Sequence, residues 1–137
     1  MAAPDKIDIS TAVFCDDIRR EDNGKELLIG VYSGDIVFPH FPGRVNLCIW
    51  LPWIGKTKPE ETTKFKLRLL DSDKEILGSE FEISTQEESS CGSLAIGGIV
   101  AHFHNETTLN VHVKRNSERW KTLKSIRVRS RQTNMQK

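Results

Sequence analysis

The sequence predicts an all-β fold, an antiparallel two-sheet sandwich of immunoglobulin-like shape with about eight strands. Two observations favour it. Apolar and polar residues alternate with period two in several segments bounded by turn residues, and no stretch of ten or more residues keeps the period of a helix. An eight-stranded barrel is the alternative. We expect one β-sandwich domain over 1–130 and a loose C-terminal tail at 131–137.

The first hairpin is predicted from Asn23-Gly24, which lies between a strand at about 7–18 and a strand at about 26–38. Asn followed by Gly is typical of a two-residue type I′ turn, which needs positive φ at both central residues. Such a turn places Ile18 opposite Ile29. One face of the hairpin then becomes an apolar core face, made of Phe14, Ile18, Leu27, Ile29 and Val31.

Two adjacent carboxylates interrupt this hairpin. Asp16 shares the apolar face, where a carboxylate is costly unless it is paired or hydrogen-bonded. In the structural interpretation, Asp16 or Asp17 accepts backbone N–H bonds at a bulge, or pairs with Arg19 or Arg44. In the catalytic interpretation, the two carboxylates act as general acid and base. Gly30, predicted opposite Asp17, leaves room for a side chain or a small ligand.

The remaining strands follow in order. A third strand is predicted at 44–51, and a hairpin at 62–84 in which Phe65 faces Phe81 and Lys66 faces Glu80. Further strands are predicted from Leu94 to Phe103, around Leu109 to Val113, and from Trp120 to Ser130 with a bulge near 124–125. Polar connections lie at 55–61 and 85–92.

A basic surface is the candidate binding site. Pairing Phe103 with Leu109 would place three histidines on one outer face, beside the basic residues of the last strand. The predicted partner-binding residues are His102, His104, His112, Lys114, Arg127, Arg129 and Arg131. From Lys114 onward, 9 basic residues accompany 1 acidic residue, whereas the rest of the chain has 11 basic and 18 acidic residues. This polarity favours an acidic protein surface, or another copy of the chain, as partner. The plain alternative is a solvated sheet face whose charges discourage edge pairing.

Other ligands are disfavoured. Nucleic-acid binding is not expected, since only Trp120 offers a stacking ring near the basic residues. No metal site is expected, because the histidines lack a carboxylate or cysteine of matching parity. The sequence contains no phosphate-binding, nucleophile-elbow or paired-cysteine motif, so no cofactor is expected.

We therefore expect a non-catalytic binding or protein-interaction module. A self-associating structural protein is the alternative, and a hydrolytic enzyme using Asp16 and Asp17 is the second alternative. Cys15 and Cys48 lie in apolar strand patterns, as free thiols of a reducing compartment do. No apolar run is long enough for a signal peptide or a membrane span, which predicts a cytoplasmic protein without a membrane partner.

The first hairpin also resembles a known family. The matching residues are F-C-D-D-I-R at 14–19, Glu21, Gly24-Lys25, I-G-V-Y at 29–32 and Phe41-Pro42. This pattern resembles a bacterial family of small uncharacterised proteins, catalogued as a domain of unknown function. The resemblance implies a shared fold and a bacterial origin, and it implies no activity.

Overall fold

The computed structural model describes residues 6–56, 61–84 and 91–131. These ranges form ten β-strands: β1 (Asp8–Ile9), β2 (Val13–Arg20), β3 (Glu26–Val31), β4 (Ile36–Phe38), β5 (Gly43–Ile54), β6 (Thr63–Asp71), β7 (Lys74–Ile83), β8 (Cys91–Phe103), β9 (Thr107–Arg115) and β10 (Lys121–Ser130). The all-β prediction is confirmed, with ten strands in place of about eight. No helix in the described ranges is long and apolar enough to cross a membrane.

Three predicted segments lie wholly or mostly outside the described residues. They are the greater part of the connection at 55–61, the acidic loop at 85–92 apart from its last two residues, and the tail beyond Arg131. Cys91 and Gly92, predicted in that loop, begin β8.

Sheet A consists of β1, β2, β3, β5 and β8, whereas β4 belongs to the other sheet. Strand β5 is the centre of sheet A. It pairs with β8 along one edge, from Gly43 opposite Phe103 to Ile54 opposite Cys91. Along its other edge it pairs with β2 and, further on, with the two-residue β1. Strand β3 pairs with β2, so β3 and β8 form the two edges of sheet A.

Sheet B has the order β4-β10-β9-β6-β7. Its β4 runs parallel to β10, with Ile36 opposite Val128, so the prediction of a wholly antiparallel fold is wrong. The single predicted strand over 26–38 is in fact two strands, because the chain leaves sheet A after Val31 and joins sheet B at Ile36. The resulting strand order shows no immunoglobulin topology. In the described residues no hydrogen-bonded strand pair joins the two sheets, whereas a closed barrel would require one.

The inward faces of both sheets share one hydrophobic core. Sheet A contributes alternate residues of β5, namely Leu47, Ile49 and Leu51, all at most 1 % exposed. Sheet B contributes Leu67 and Val111 with their i ± 2 neighbours. Period-two alternation therefore decides which side chains are buried and which face solvent on β6 and β9, whereas β5, which has an irregularity between Leu47 and Ile49, buries three consecutive residues.

The β6–β7 hairpin has the predicted register. Phe65 lies opposite Phe81 with ring centroids 5.5 Å apart, and Lys66 lies opposite Glu80 with its ammonium 3.6 Å from the carboxylate. Both faces of this hairpin favour one alignment, which is why the sequence was sufficient to predict it. On β10 an irregularity is present between Thr122 and Lys124, slightly before the predicted position near 124–125.

The β2–β3 hairpin is shifted by one residue from its predicted register. The Gly24 N–H donates to Glu21 O and the Glu21 N–H donates to Lys25 O, so three residues, Asp22 to Gly24, form the loop. In this loop Gly24 has a positive φ (85°) and Asn23 does not, as in a type I turn followed by a glycine bulge. Asp17, rather than Ile18, therefore lies opposite Ile29.

This shift reverses the predicted core face of β3. A slip of one residue moves every side chain of a strand to the opposite face. Phe14 is buried as predicted, but the odd-numbered apolar side chains of β3 face solvent. Their exposed fractions are 48 % for Leu27, 39 % for Ile29 and 49 % for Val31.

Candidate binding surfaces

The outer face of sheet B carries most of the predicted basic residues. On β9, His112 and Lys114 alternate with the buried Val111 and Val113, so both point away from the core. On β10, Arg127 and Arg129 flank the buried Val128 in the same way. Arg131 is exposed just after β10.

The prediction that His102 and His104 share this face is wrong. His102 lies on β8 in sheet A, opposite Arg44 of β5, and His104 follows β8. The turn after His104 carries the chain from sheet A to sheet B instead of closing a hairpin. Turn residues show that the chain reverses, but they do not show whether the two flanking strands pair with each other.

Local carboxylates already pair with two of the predicted arginines. The Arg127 guanidinium lies 3.1 Å from Glu106, and Arg129 Nε donates to Asp35 across 2.8 Å. Exposed ion pairs of this kind stabilise a fold by about 1 kcal/mol or less. These ion pairs also affect binding, because each paired guanidinium presents less uncompensated charge to a partner.

Four residues form the centre of the face, and we name them the basic–aromatic cluster: Arg68, His112, Lys114 and Trp120. Arg68 on β6 lies directly opposite His112 on β9. The Arg68 guanidinium carbon is 4.2 Å from the Trp120 ring centroid, and Lys114 Nζ is 5.4 Å from it. Both distances are in the range of cation–π contacts.

The protonation state of the cluster follows from one hydrogen bond. Arg68 Nε donates to His112 Nδ1 across 3.2 Å, so Nδ1 is the acceptor nitrogen of a neutral imidazole. Burial, and then the positive charge of Arg68, lower the pKa of His112 below its ordinary value. His112 therefore keeps a proton on Nε2 and serves as a neutral donor at neutral pH.

Sequence reasoning found part of this cluster. His112, Lys114 and the nearness of Trp120 follow from the last two strands. Arg68 was missed as a site residue because its place depends on β6 pairing with β9, two strands separated by some forty residues in sequence. The one available signal was that Arg68 occupies an outward-facing position of the predicted 62–84 hairpin.

A second candidate surface is the solvent-facing row of β3, which we name the β3 row: Leu27, Ile29 and Val31. Glu26 is the only charged residue of β3, and it does not lie in this row. Its carboxylate accepts hydrogen bonds from Trp50 Nε1 (3.0 Å) and from the Ser93 hydroxyl. These bonds lower the pKa of the Glu26 carboxyl, and the bond from Ser93 has the larger effect.

The two aspartates of β2 have separate partners. The Tyr32 hydroxyl donates to Asp16 across 2.9 Å, and burial, followed by this bond, raises the pKa of Tyr32 to about 12. Asp17 accepts the N–H of Ile18 (2.9 Å) and pairs with Arg19 (3.0 Å), as the structural interpretation predicted. Asp16, and not Asp17, occupies the space beside Gly30. Consecutive strand residues point to opposite faces, so the carboxylates do not converge on one point.

No group of three or more His, Cys, Asp or Glu side chains within the described ranges is arranged to hold a metal ion.

Comparison with known proteins gives two results. No curated protein matches the chain. The model of a family of unknown function, DUF6941, matches residues 10–128. The chain therefore belongs to the DUF6941 family.

Proposed function

We propose that the protein is a non-catalytic protein-interaction module that self-associates through the β3 row. The observation that carries this proposal is the exposure of Leu27, Ile29 and Val31 side by side on an edge strand. Of the five large apolar side chains that are exposed in the described residues, these three lie at alternate positions of one strand. A contiguous exposed apolar row on a sheet edge is typical of an interaction surface.

The fold itself does not require this row. The core between the sheets is filled by inward residues of both sheets, and the only charge of β3 is directed towards Trp50 and Ser93. Edge strands are commonly protected from association by lysine or proline on their exposed face. The exposed face of β3 has neither.

A second copy of the chain is the partner that suits the row. A two-fold axis through Ile29 would set Leu27 against Val31 of the other copy and Ile29 against itself, so each apolar side chain meets an apolar side chain. Gly30 has a positive φ (68°) that distorts β3, so we propose packing of side chains rather than a long continuous ladder between copies. Three side chains cover much less than the roughly 800 Å² per partner of a stable interface, so the dimer is weak.

Sedimentation velocity tests this proposal. The wild-type protein, followed from about 10 μM to about 1 mM, is expected to shift from monomer towards dimer, with a dissociation constant on the order of 100 μM. Ile29→Lys is expected to remain monomeric, because it places a charge at the centre of the row. Val100→Lys is the matched control, since Val100 is 48 % exposed on β8, away from the row. A wild-type protein that stays monomeric throughout, or equal loss in both variants, would refute the proposal.

We also propose cytoplasmic residence and an immunoglobulin-like shape for the two-sheet sandwich, without the immunoglobulin strand order. The buried, unlinked thiols of Cys15 and Cys48, directly opposite each other on β2 and β5, support the first, since reducing compartments preserve such thiols. Two sheets around one core support the second.

A further inference from the structure

We propose a second binding site, separate from the β3 row: the basic–aromatic cluster binds a carboxylate-rich segment of a partner protein. The cluster is on the outer face of sheet B, whereas the β3 row is on sheet A. Each of the two proposed sites can therefore be tested independently of the other.

The first argument is uncompensated charge. Several cations elsewhere on sheet B have a carboxylate within 4.0 Å: Lys66 with Glu80, Arg127 with Glu106, and Arg129 with Asp35. Arg68 and Lys114 have no such partner among the described residues, although they lie on adjacent, paired strands. Two cations held close together repel each other, and a bound anion would relieve that repulsion.

The second argument is pre-organisation. Arg68 is fixed by its bond to His112 and by its contact with the Trp120 ring, and Lys114 lies over the same ring. The side chains therefore lose little additional freedom when a ligand binds. Both are half-buried, which weakens solvent screening relative to a fully exposed lysine or arginine.

The third argument identifies the ligand class. The Arg68 terminal N–H groups, the Lys114 ammonium and the His112 Nε2–H are all hydrogen-bond donors, and they suit the acceptor oxygens of carboxylates. A nucleic acid would instead need a free aromatic face on which to stack its bases. The Trp120 ring already has a guanidinium 4.2 Å from its centroid, so it is a poor stacking platform. A peptide rich in Glu or Asp is the better match.

Fluorescence anisotropy with a labelled hexaglutamate peptide tests this site. We expect saturable binding that weakens as salt rises, and a loss of about fivefold or more in affinity in Arg68→Gln and in Lys114→Gln. Arg127→Gln is the matched control: it removes a charge from the same face, but a charge that Glu106 already pairs, and its affinity should change by less than about twofold. Urea unfolding of each variant verifies that the fold is retained.

Three results would overturn the proposal. One is the absence of peptide binding to the wild-type protein at low salt. Another is equal weakening by Arg127→Gln, which would show attraction to the net charge of the face without a defined site. The third is tighter binding of a labelled oligothymidylate of equal length and charge, which would assign the cluster to single-stranded nucleic acid.

Discussion

Gly30 shows how one residue shapes the first hairpin. A Cβ at this position would lie 2.2 Å from Asp16 Oδ2, and the φ of 68° lies in the left-handed region. The missing side chain leaves the space in which Asp16 accepts the Tyr32 hydroxyl. The sequence predicted that Gly30 would leave room for a neighbouring side chain. Because the predicted register was wrong by one residue, Gly30 was expected opposite Asp17, whereas Asp16 fills the space beside it.

Gly30→Ala is expected to destabilise the protein by about 1 kcal/mol more than Gly24→Ala. Both glycines have positive φ, so both substitutions incur the left-handed strain of about 1–2 kcal/mol. Only Gly30→Ala displaces Asp16, since nothing lies within 4 Å of a Cβ at Gly24. Urea unfolding measures both. In an Asp16→Ala background most of the excess cost of Gly30→Ala should disappear, because only the Asp16 Cβ contact at 3.1 Å remains, and an undiminished excess there would rule out this explanation.

At the scale of elements, the sequence predicted the register of a hairpin correctly where the side chains on both faces favoured the same pairing. It predicted the register wrongly where only the turn indicated the pairing. In β6–β7 the apolar pairs and the Lys66–Glu80 pair require the same register, and that register is present. In β2–β3 the length of the loop decided the register, and two- and three-residue loops with Asn-Gly look alike in sequence. The turn after β8 joins two sheets, a distinction that local sequence does not encode.

Besides the pairing of β2 with β5, Glu26 connects β3 to β5 and β8 through its bonds to Trp50 and Ser93, which predicts a pH effect. The lowered pKa means that the folded state holds the Glu26 carboxylate ionised more strongly than the unfolded chain does. This contribution to stability is fully present above the ordinary glutamate pKa of about 4.5 and is lost as pH falls below it. Glu26→Gln should therefore cost about 1 kcal/mol at pH 7 and progressively less in acid.

Urea unfolding of Glu26→Gln at pH 7, 4 and 3 would measure this effect. Glu80→Gln is the control, because it removes an exposed carboxylate of β7 that pairs with Lys66. A difference from wild type that stays constant across this range would show that Glu26 anchors the hairpin without any contribution from its charge.

At the scale of the whole molecule, the basic end of the sequence does not become a uniformly basic surface. Its cations pair with acidic residues from distant parts of the chain, including Arg129 with Asp35 and Lys121 with Asp8. Composition predicted the polarity along the chain, but pairing between strands determines how much charge is left exposed. The part that sequence reasoning could not supply is this partition between paired and unpaired cations.

The central claim about the whole molecule is that β3 presents its apolar row to solvent and so to a partner. Urea unfolding of Ile29→Lys at about 1 μM, where a weak dimer is dissociated, tests it most directly. The observed register predicts a free energy of unfolding within about 0.5 kcal/mol of wild type, because a surface position tolerates lysine. A loss of about 3 kcal/mol or more, as expected for a charge forced into a core, would contradict it.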